Sequence, residues 1–198
     1  LARARSNGIA GGGQSGGSSL NTGGRYDPAT DAWTVTSTTN APSPRSDHAA
    51  VWTGSVMVVW GGTSLGSVVD TGGRYDPVAD AWTPVSTLNA PSPRFNHLAV
   101  WTGSLMIVWG PDPLWNGGRY DPSTDTWSPM STANAPSGRL GHSAIWIGNR
   151  MIVWGGGSGT DGGRYDPMTD SWAPTSTSSG VPAARAEHSA ISIGDLMI

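Results

Sequence analysis

The sequence contains no cysteine and no lysine, and it has one phenylalanine and one glutamate. Without cysteine, the chain can form no disulfide bond and no thiolate metal site. Its net charge of -3 gives no positive surface for nucleic acid or for an anionic membrane. No apolar run approaches the roughly 20 residues that a membrane-spanning helix needs. The composition therefore predicts a protein that does not bind nucleic acid and does not insert into a membrane.

Repetition is the feature that the chain has in abundance. The string Gly-Gly-Arg-Tyr-Asp-Pro begins at residues 23, 72, 117 and 162, and an Arg-x-x-His sequence comes later in each repeat. The tyrosines lie 45–49 residues apart, a period that is typical of arrays of small β-sheets. We expect the repeated Tyr, Trp and His residues to be structural. They are Tyr26, Trp33, His48, Tyr75, Trp82, His97, Tyr120, Trp127, His142, Tyr165, Trp172 and His188.

Residues 97–130 indicate how one repeat folds. Two apolar runs are separated by Gly103-Ser104, a two-residue turn of the kind that closes a β-hairpin. The second run is apolar at every position and too short for a helix, which is typical of a strand that is covered on both faces. Asp121-Pro122 starts a turn, because Asp caps its own backbone there and Pro presets the next residue. The predicted strands are residues 97–102, 105–109, 118–121 and 127–130.

Four-stranded units of this kind bury both faces only when they pack face to face around an axis. We therefore predict an all-β fold, a β-propeller of four repeats of four antiparallel strands. It is either a closed four-blade ring or a segment of a larger ring, and the last repeat, which stops where the others continue, favours the segment. We expect Trp33, Trp82 and Trp127 to be buried between blades. Residues 1–198 form one domain, with repeats at about 23–62, 72–110, 117–156 and 162–198 and a partial repeat with a Gly/Ser-rich loop at 1–22.

These residues resemble the kelch family. The resemblance rests on Gly61-Gly62 and Gly155-Gly156 closing second strands, on the Tyr of the third strand, on the Trp of the fourth, and on the Arg-x-x-His that opens the first. The chain departs from the pattern at Gly110-Pro111 and at Ser192, which replaces a first-strand Trp. The resemblance implies a partner-binding module that uses the blade end with the long loops. The first-strand arginines, which it places near the channel mouth, are Arg45, Arg94, Arg139 and Arg185.

The predicted binding surface combines these arginines with variable neighbours. The structural alternative, which the sequence favours, is that each Arg bonds carbonyl oxygens of a loop. Phe95 and Glu187 follow two of them, whereas the corresponding residues of the other repeats differ. Trp115 is the one Trp outside the repeat pattern, and it lies in a loop, where it is either an anchor for a ligand or a cover over the blade end. Long variable loops on a rigid scaffold are where binding residues are usually placed. The partner is a protein or a glycan.

Other repeated side chains have a structural explanation that we favour. The four histidines could ring the axis as metal ligands, but their presence in every repeat favours contacts between blades. The Asp-Pro-x-x-Asp segments could bind calcium, but Asp at the start of a turn caps its own backbone without an ion. The arginines that precede the repeated tyrosines are expected to pair with an Asp or to stack on a Trp. We therefore predict no metal and no cofactor.

An enzyme is the alternative function. Galactose oxidase shares the propeller family, but its copper centre needs a Tyr cross-linked to Cys, and the chain has no cysteine. Kelch-type sugar epimerases leave one candidate acid, Glu187 near Arg185, at the channel mouth. No Gly-x-Ser-x-Gly, P-loop or His-Glu-x-x-His motif occurs. The sequence favours a non-enzymatic binding module without catalytic residues, and its composition is compatible with an extracellular or cell-surface bacterial protein.

Overall fold

The computed structural model describes residues 8–111, 116–157 and 159–198. These residues form nineteen strands and no helix, so the described part of the chain is all-β. It contains no helix that is long and apolar enough to cross a membrane. The hairpins are antiparallel throughout, as the short turns of the repeat predict.

The strands follow one another along the chain without crossovers between the larger sheets. In chain order they are β1 (Gly8–Ser15), β2 (Ser18–Asp27), β3 (Ala32–Val35), β4 (Ala49–Trp52), β5 (Met57–Trp60), β6 (Thr63–Ser64), β7 (Ser67–Val68), β8 (Gly72–Asp76), β9 (Ala81–Pro84), β10 (Leu98–Trp101), β11 (Met106–Trp109), β12 (Gly117–Asp121), β13 (Thr126–Pro129), β14 (Ser143–Ile147), β15 (Arg150–Trp154), β16 (Gly162–Asp166), β17 (Ser171–Pro174), β18 (Ser192–Ile193) and β19 (Leu196–Met197).

Three sheets have four strands each, and we call them blades. They are β4-β5-β8-β9, β10-β11-β12-β13 and β14-β15-β16-β17. The first strands of neighbouring blades, β4, β10 and β14, contact one another and so lie innermost. The arrangement is consistent with a β-propeller. The observed strands of the middle blade lie within one residue or so of the predicted bounds at each end.

The core lies between the blades. Each residue of β5 and of β11 is buried, as the uninterrupted apolar runs predict. Trp60 of β5 packs on Trp127 of the next blade, with ring centroids 5.1 Å apart, and Trp109 packs on Trp172 in the same way. A buried Trp removes on the order of 200 Å² from water, so flat indole rings suit the gap between two sheets.

Hydrogen bonds repeat at each contact between neighbouring sheets. After each fourth strand comes a return segment, which leads to the next Arg-x-x-His. Its serine donates its backbone N–H to an Asp of the following blade, and its carbonyl accepts from the Trp of that blade. The three sets are Ser37 with Asp80 and Trp82, Ser86 with Asp125 and Trp127, and Ser131 with Asp170 and Trp172, at 2.9–3.0 Å. We call this pair of bonds the serine staple.

The arginine before each repeated Tyr adds a further bond across the same contacts. Arg74 Nη1 donates to the carbonyl oxygen of Pro122 at 2.9 Å, and Arg119 Nη1 donates to that of Pro167 at 3.3 Å. Arg25 makes the equivalent bond to Pro77. Arg74 also lies 3.7 Å from the carboxylate of Asp125. These arginines therefore hold the turn of the next blade.

The N-terminal region differs from the prediction. The Gly/Ser-rich segment that we expected to be a loop forms the long hairpin β1–β2. Gly16 and Gly17 both have positive φ, at 56° and 82°, and two such residues fit the tight turn that matches strand twist. The resulting N-terminal sheet, β1-β2-β3, has three strands.

Trp33 was expected to be buried, and this prediction is wrong. Trp33 is 64% exposed, whereas the equivalent Trp82 is 7% exposed and Trp127 is also buried. The reason is that no return segment among the described residues lies over β3. At the other end of the described fold, β18 and β19 form a separate two-stranded sheet. The N-terminal sheet and this last hairpin do not join into one blade.

Candidate functional site

Strand direction separates two ends of the blades. First-to-second-strand turns such as Thr53–Val56 and the Asp-Pro turns lie at one end, which we call the turn end. Return segments and the connections between second and third strands lie at the other end, which we call the loop end. Because first strands start where second strands finish, the Arg-x-x-His sequences open at the loop end. The candidate site is built there.

Arg45 holds the base of a long loop. Its Nη1 donates to the carbonyl oxygens of Gly61 at 2.9 Å and Thr71 at 2.7 Å, which are the two ends of the connection between β5 and β8. Its Nη2 donates to the hydroxyl oxygens of Ser43 and Thr71, and its Nε donates to the Ser43 carbonyl. A guanidinium has five N–H donors, so all five of Arg45 are used within the fold.

The same clamp recurs in the next two repeats. Arg94 donates to Ser92, Gly110 and Asn116, and Arg139 donates to Ser137, Gly155 and Asp161. Arg94 is 1% exposed, and Arg45 and Arg139 are also buried. The Arg139 guanidinium, 2.8 Å from Asp161, holds the pKa of that carboxyl below its usual range.

This burial contradicts the hypothesis that the arginine ring faces a partner and agrees with the structural alternative, bonds from the Arg to loop carbonyl oxygens. The three arginines lie at the loop end as predicted, but their N–H groups bind carbonyl and side-chain oxygens of their own blade. A clamped guanidinium stabilises loops and offers no donor to a ligand. Arg185 differs because it is exposed, and its Nε donates to the carbonyl of Ala183.

The histidines lie between blades. His97 packs edge-on against Trp60 with ring centroids 5.2 Å apart, and His142 and His188 pack in the same way on Trp109 and Trp154. Burial, with the Arg94 charge as a second cause, lowers the pKa of His97 to about 3. Burial lowers the pKa of His142 to about 4. Both rings are therefore neutral near pH 7.

This packing explains the glycine pair at the end of the second strand. Gly61 has a φ of 72°, and a Cβ on it would lie 2.6 Å from Cε1 of His97. Only glycine combines that backbone conformation with that closeness. One repeat has Gly110-Pro111 where the others have Gly-Gly. Its first residue is still glycine, and Gly110 faces His142.

A concavity opens on the axis at the loop end. Its volume is about 440 Å³, and its wall includes Asp47, Asn96, Gly141 and Glu187, one residue from each Arg-x-x-His sequence. All four have a left-handed backbone, with φ between 54° and 66°. Backbone bonds join them in pairs: Asn96 N–H donates to the Asp47 carbonyl, and Glu187 N–H to that of Gly141. We call this the axial concavity.

Exposed apolar side chains stand beside the axial concavity. Phe95 is 44% exposed and Leu140 is 58% exposed, and each directly precedes a residue of its wall. Glu187 is exposed as well. Trp115, the loop aromatic of the sequence prediction, lies outside the described residues. The structure thus brings Phe95 and Glu187 to one surface and leaves the clamped arginines beneath it.

Sequence reasoning missed an apolar loop tip at the same end. The connection after β5 forms the small hairpin β6–β7, whose tip residue Leu65 is almost fully exposed. The hairpin is held in place because Ser46 and Thr63 exchange both backbone hydrogen bonds. Leu65 and Gly66 at the turn both have positive φ, and Gly66 is the only part of this turn that the sequence signals.

With this geometry in view, the chain was compared with known proteins. It matches the family model of the KLHDC2/KLHL20/DRC7 Kelch-repeats domain over residues 6–198. The chain belongs to the Kelch-repeat family. Kelch-repeat domains generally mediate protein binding. No curated protein matches the chain.

A second concavity lies at the turn end of the Kelch blades. It measures about 790 Å³ and is lined by polar residues such as Arg74, Asp76 and Ser104 and by apolar residues such as Val56 and Trp101. Arg74, its one basic side chain, already bonds to Pro122 and lies beside Asp125. This concavity is therefore a cleft between two Kelch blades, and its basic side chain holds the blades together. The loop end remains the better candidate for a binding site.

Proposed function

We propose that this Kelch-repeat protein is a non-enzymatic binding module that recognises a protein through its loop end. The binding surface is the rim of the axial concavity, with Phe95 and Leu140 as apolar contacts and Glu187 as a charged one. Leu65 on the β6–β7 hairpin extends it outward. No bond is made or broken, and no cofactor takes part.

One observation carries this proposal. The two residues between the Arg and the His of each repeat are the ones that vary, and in the two middle repeats Phe95 and Leu140 among them are exposed while the Arg and the His on either side are buried. In these two repeats the Arg is clamped by five hydrogen bonds and the His is stacked on a Trp, so the backbone between them is fixed. Variable side chains on a fixed backbone are suited to recognition, since little conformational entropy is lost on binding.

The chemistry of the rim favours a peptide or protein ligand. Exposed Phe and Leu side chains gain about 25 cal/mol for each Å² of apolar surface that a partner covers. Glu187 and Asp47 add negative charge, which favours a partner with basic residues near its apolar anchor. A glycan site would need polar groups that converge around an exposed aromatic platform. We therefore favour a peptide or protein as the ligand of this apolar and acidic rim.

An enzyme is kept as the second candidate because two carboxylates, Asp47 and Glu187, share the wall of the axial concavity. Paired carboxylates can act as general acid and base on a sugar when they face one substrate. Incubation with a panel of free sugars, followed by NMR, would detect turnover. Turnover that is lost with Glu187→Gln would favour this candidate over binding alone.

The binding proposal is tested with a random peptide library displayed on phage. The wild-type chain should enrich peptides with an apolar residue beside a basic one. The Phe95→Ser/Leu140→Ser variant should bind the enriched peptides at least tenfold more weakly, as measured by fluorescence anisotropy. Both side chains are exposed outside the core, so this variant should stay close to the wild-type melting temperature.

The matched control is Val78→Ser/Met168→Ser. These two side chains are almost fully exposed at the turn end, so the control removes a similar apolar area far from the axial concavity. It should bind the peptides like the wild type. Peptide binding that survives in the Phe95/Leu140 variant, or that is lost in the control, contradicts the proposal, and binding on a glycan array in place of peptides would redirect it to sugars.

A further inference from the structure

The cleft between the first two blades at the turn end, which we call the turn-end cleft, crosses the first blade from its innermost to its outermost strand. Its lining includes Ser55 at the β4–β5 turn, Asp76 on β8 and Thr83 on β9. Neighbouring strands lie about 4.8 Å apart, so the three spacings of this sheet give the cleft a length of about 14 Å. Its volume of about 790 Å³ is that of a small-molecule site. The cleft is therefore long and wide enough for a short chain of linked rings.

An indole ring supplies the apolar part of the turn-end cleft. Trp101, the last residue of β10, packs against the buried cluster between the first two blades, which holds it in place. The rest of its surface is accessible and lines the cleft. A flat aromatic surface in a fixed position is suited to the apolar C–H face of a sugar ring. Polar groups flank this surface on both sides of the cleft.

On the first blade, one carboxylate oxygen is left free for a ligand. Asp76 Oδ1 accepts from two backbone N–H groups of its own turn, at 2.8 and 3.3 Å, which fixes the side chain. Within the described part of the chain, no hydrogen bond or ion pair engages its Oδ2. The equivalent Asp166 of the third blade differs, because its Oδ2 lies 3.7 Å from Nη2 of Arg150. Val56 stands in the first blade where the third blade has Arg150, so the acceptor of Asp76 stays available.

The second blade supplies the facing wall. Asp121 is oriented by Ser123, whose backbone N–H and hydroxyl both donate to its Oδ1, at 2.8 and 2.6 Å. The exposed hydroxyl of Ser104 lies on the same side of the cleft. A serine hydroxyl can donate as well as accept, whereas a carboxylate only accepts. The two walls therefore offer the mixture of donors and acceptors that ring hydroxyl groups require.

This lining selects among ligand classes. Two carboxylates oppose a phosphate or another anionic ligand, and the positive charge of Arg74 is already placed beside Asp125. No group of three or more His, Asp or Glu residues in the described ranges could hold a metal ion. The apolar anchors that favour a peptide, Phe95 and Leu140, stand at the opposite end of the blades. A neutral ligand rich in hydroxyl groups fits the turn-end cleft best.

We propose that the turn-end cleft binds a neutral oligosaccharide. One sugar ring stacks on Trp101, and its hydroxyl groups donate to Oδ2 of Asp76 on one wall and to the Asp121 carboxylate on the other. The chain of rings continues outward along the cleft toward Thr83. This site lies at the other end of the blades from the axial concavity, so the proposal does not depend on the binding function proposed above.

The first test is an array of neutral glycans built from glucose, galactose, mannose, xylose and N-acetylglucosamine. The labelled wild-type chain should bind a subset of them, and isothermal titration calorimetry should then give the affinity for the strongest binder. Asp76→Asn should weaken this binding at least tenfold. The Asn oxygen can still cap the turn, but its N–H₂ group replaces the free acceptor. A wild type that binds no glycan on the array overturns the proposal.

A second variant blocks the cleft without touching the core. Ser104 is exposed at the β10–β11 turn, so Ser104→Tyr should fill part of the cleft and weaken binding at least tenfold while the chain stays folded. The matched controls are Asp166→Asn and Asn149→Tyr, which make the same changes at the equivalent positions of the third blade. Both controls should bind the glycan like the wild type. Near-ultraviolet circular dichroism should show that all four variants are folded.

The loop-end variant Phe95→Ser/Leu140→Ser separates this proposal from the peptide-binding function. It should keep the wild-type affinity for the glycan, and an enriched peptide should not compete with the glycan. Failure to enrich any peptide would leave the sugar site standing, and an empty glycan array would leave the peptide site standing. Glycan binding that is lost in the loop-end variant, or that survives in both Asp76→Asn and Ser104→Tyr, places the sugar elsewhere and overturns the proposal.

Discussion

At the scale of single residues, the repeated side chains form one connected group of hydrogen bonds rather than independent contacts. The Tyr of the third strand donates to an Asp that stands five residues later, and that Asp also accepts from the preceding return segment. The Trp two residues further on binds the same return segment through its Nε1. The Asp and the Trp therefore join two sheets, and the Tyr bonds to that Asp within its own blade, which is why the whole string recurs together.

This account predicts different effects for two equivalent tryptophans. Trp82→Ala should lower the free energy of unfolding by about 3–5 kcal/mol, since it leaves a cavity between blades. Trp33→Ala should cost less than about 1 kcal/mol in the monomer, because this ring is exposed. Urea unfolding at low protein concentration, followed by circular dichroism, measures both. Equal losses at the two positions would contradict the assigned packing.

The buried histidines predict how stability depends on pH. His97 and His142 have a pKa near 6.5 when unfolded and about 3 and about 4 when folded. Below pH 6.5 the unfolded chain takes up protons that the folded chain does not, so the stability from their neutral state is full above pH 6.5. It is lost as the pH falls from 6.5 to about 3 for His97 and to about 4 for His142, at about 1.4 kcal/mol per pH unit for each histidine within its range.

Urea midpoints measured between pH 7.5 and about 4.5 test this effect, because most carboxylates remain ionised over that window. The His97→Gln/His142→Gln variant should be less stable at pH 7.5 but should lose less stability on acidification. A variant with the same pH slope as the wild type would show that the histidines do not set it.

At the scale of elements, arginine clamps hold the two ends of the long connections in place. Arg45, Arg94 and Arg139 each bridge the two ends of a connection between second and third strands. The residues before the third strand, Thr71, Asn116 and Asp161, all supply a side-chain oxygen to the same clamp. The loops can therefore vary in length between fixed ends.

Two arginine substitutions make a matched pair at this scale. Arg94→Ala should destabilise the fold by about 3–5 kcal/mol, because it leaves several buried carbonyl oxygens without a donor. Arg185→Ala should change stability by less than about 0.5 kcal/mol, since that side chain is exposed. Thermal or urea unfolding compares the two. Similar small effects at both positions would restore the arginines as candidates for partner binding.

The sequence predicts the elements better than it predicts the site. The repeat period, the turn residues and the apolar runs indicate the strands of the middle blade. Strands can be predicted in this way because they depend on residues that are close in the sequence. The burial of Arg94 depends instead on carbonyls 16 and 22 residues away, which only the closed loop brings together. The exposure of Trp33 is equally invisible in the sequence, where its repeat matches those of Trp82 and Trp127.

At the scale of the whole molecule, the fold separates packing from protein recognition. The turn end carries the Asp-Pro turns and the arginines that bind them, and these groups hold blade to blade. The loop end carries the axial concavity, the exposed Phe95 and Leu140, and the β6–β7 hairpin. Because the concavity takes wall residues from each of four repeats, a ligand there would contact several blades at once.

Hydrogen–deuterium exchange of the chain with and without an enriched peptide tests the proposed binding face most directly. The peptide should slow exchange around residues 46–47, 95–96, 140–141 and 186–187, which form the rim of the axial concavity, and should leave the Asp-Pro turns at 76–80 and 121–125 unchanged. Protection of those turns, with no change at the rim, would contradict the account.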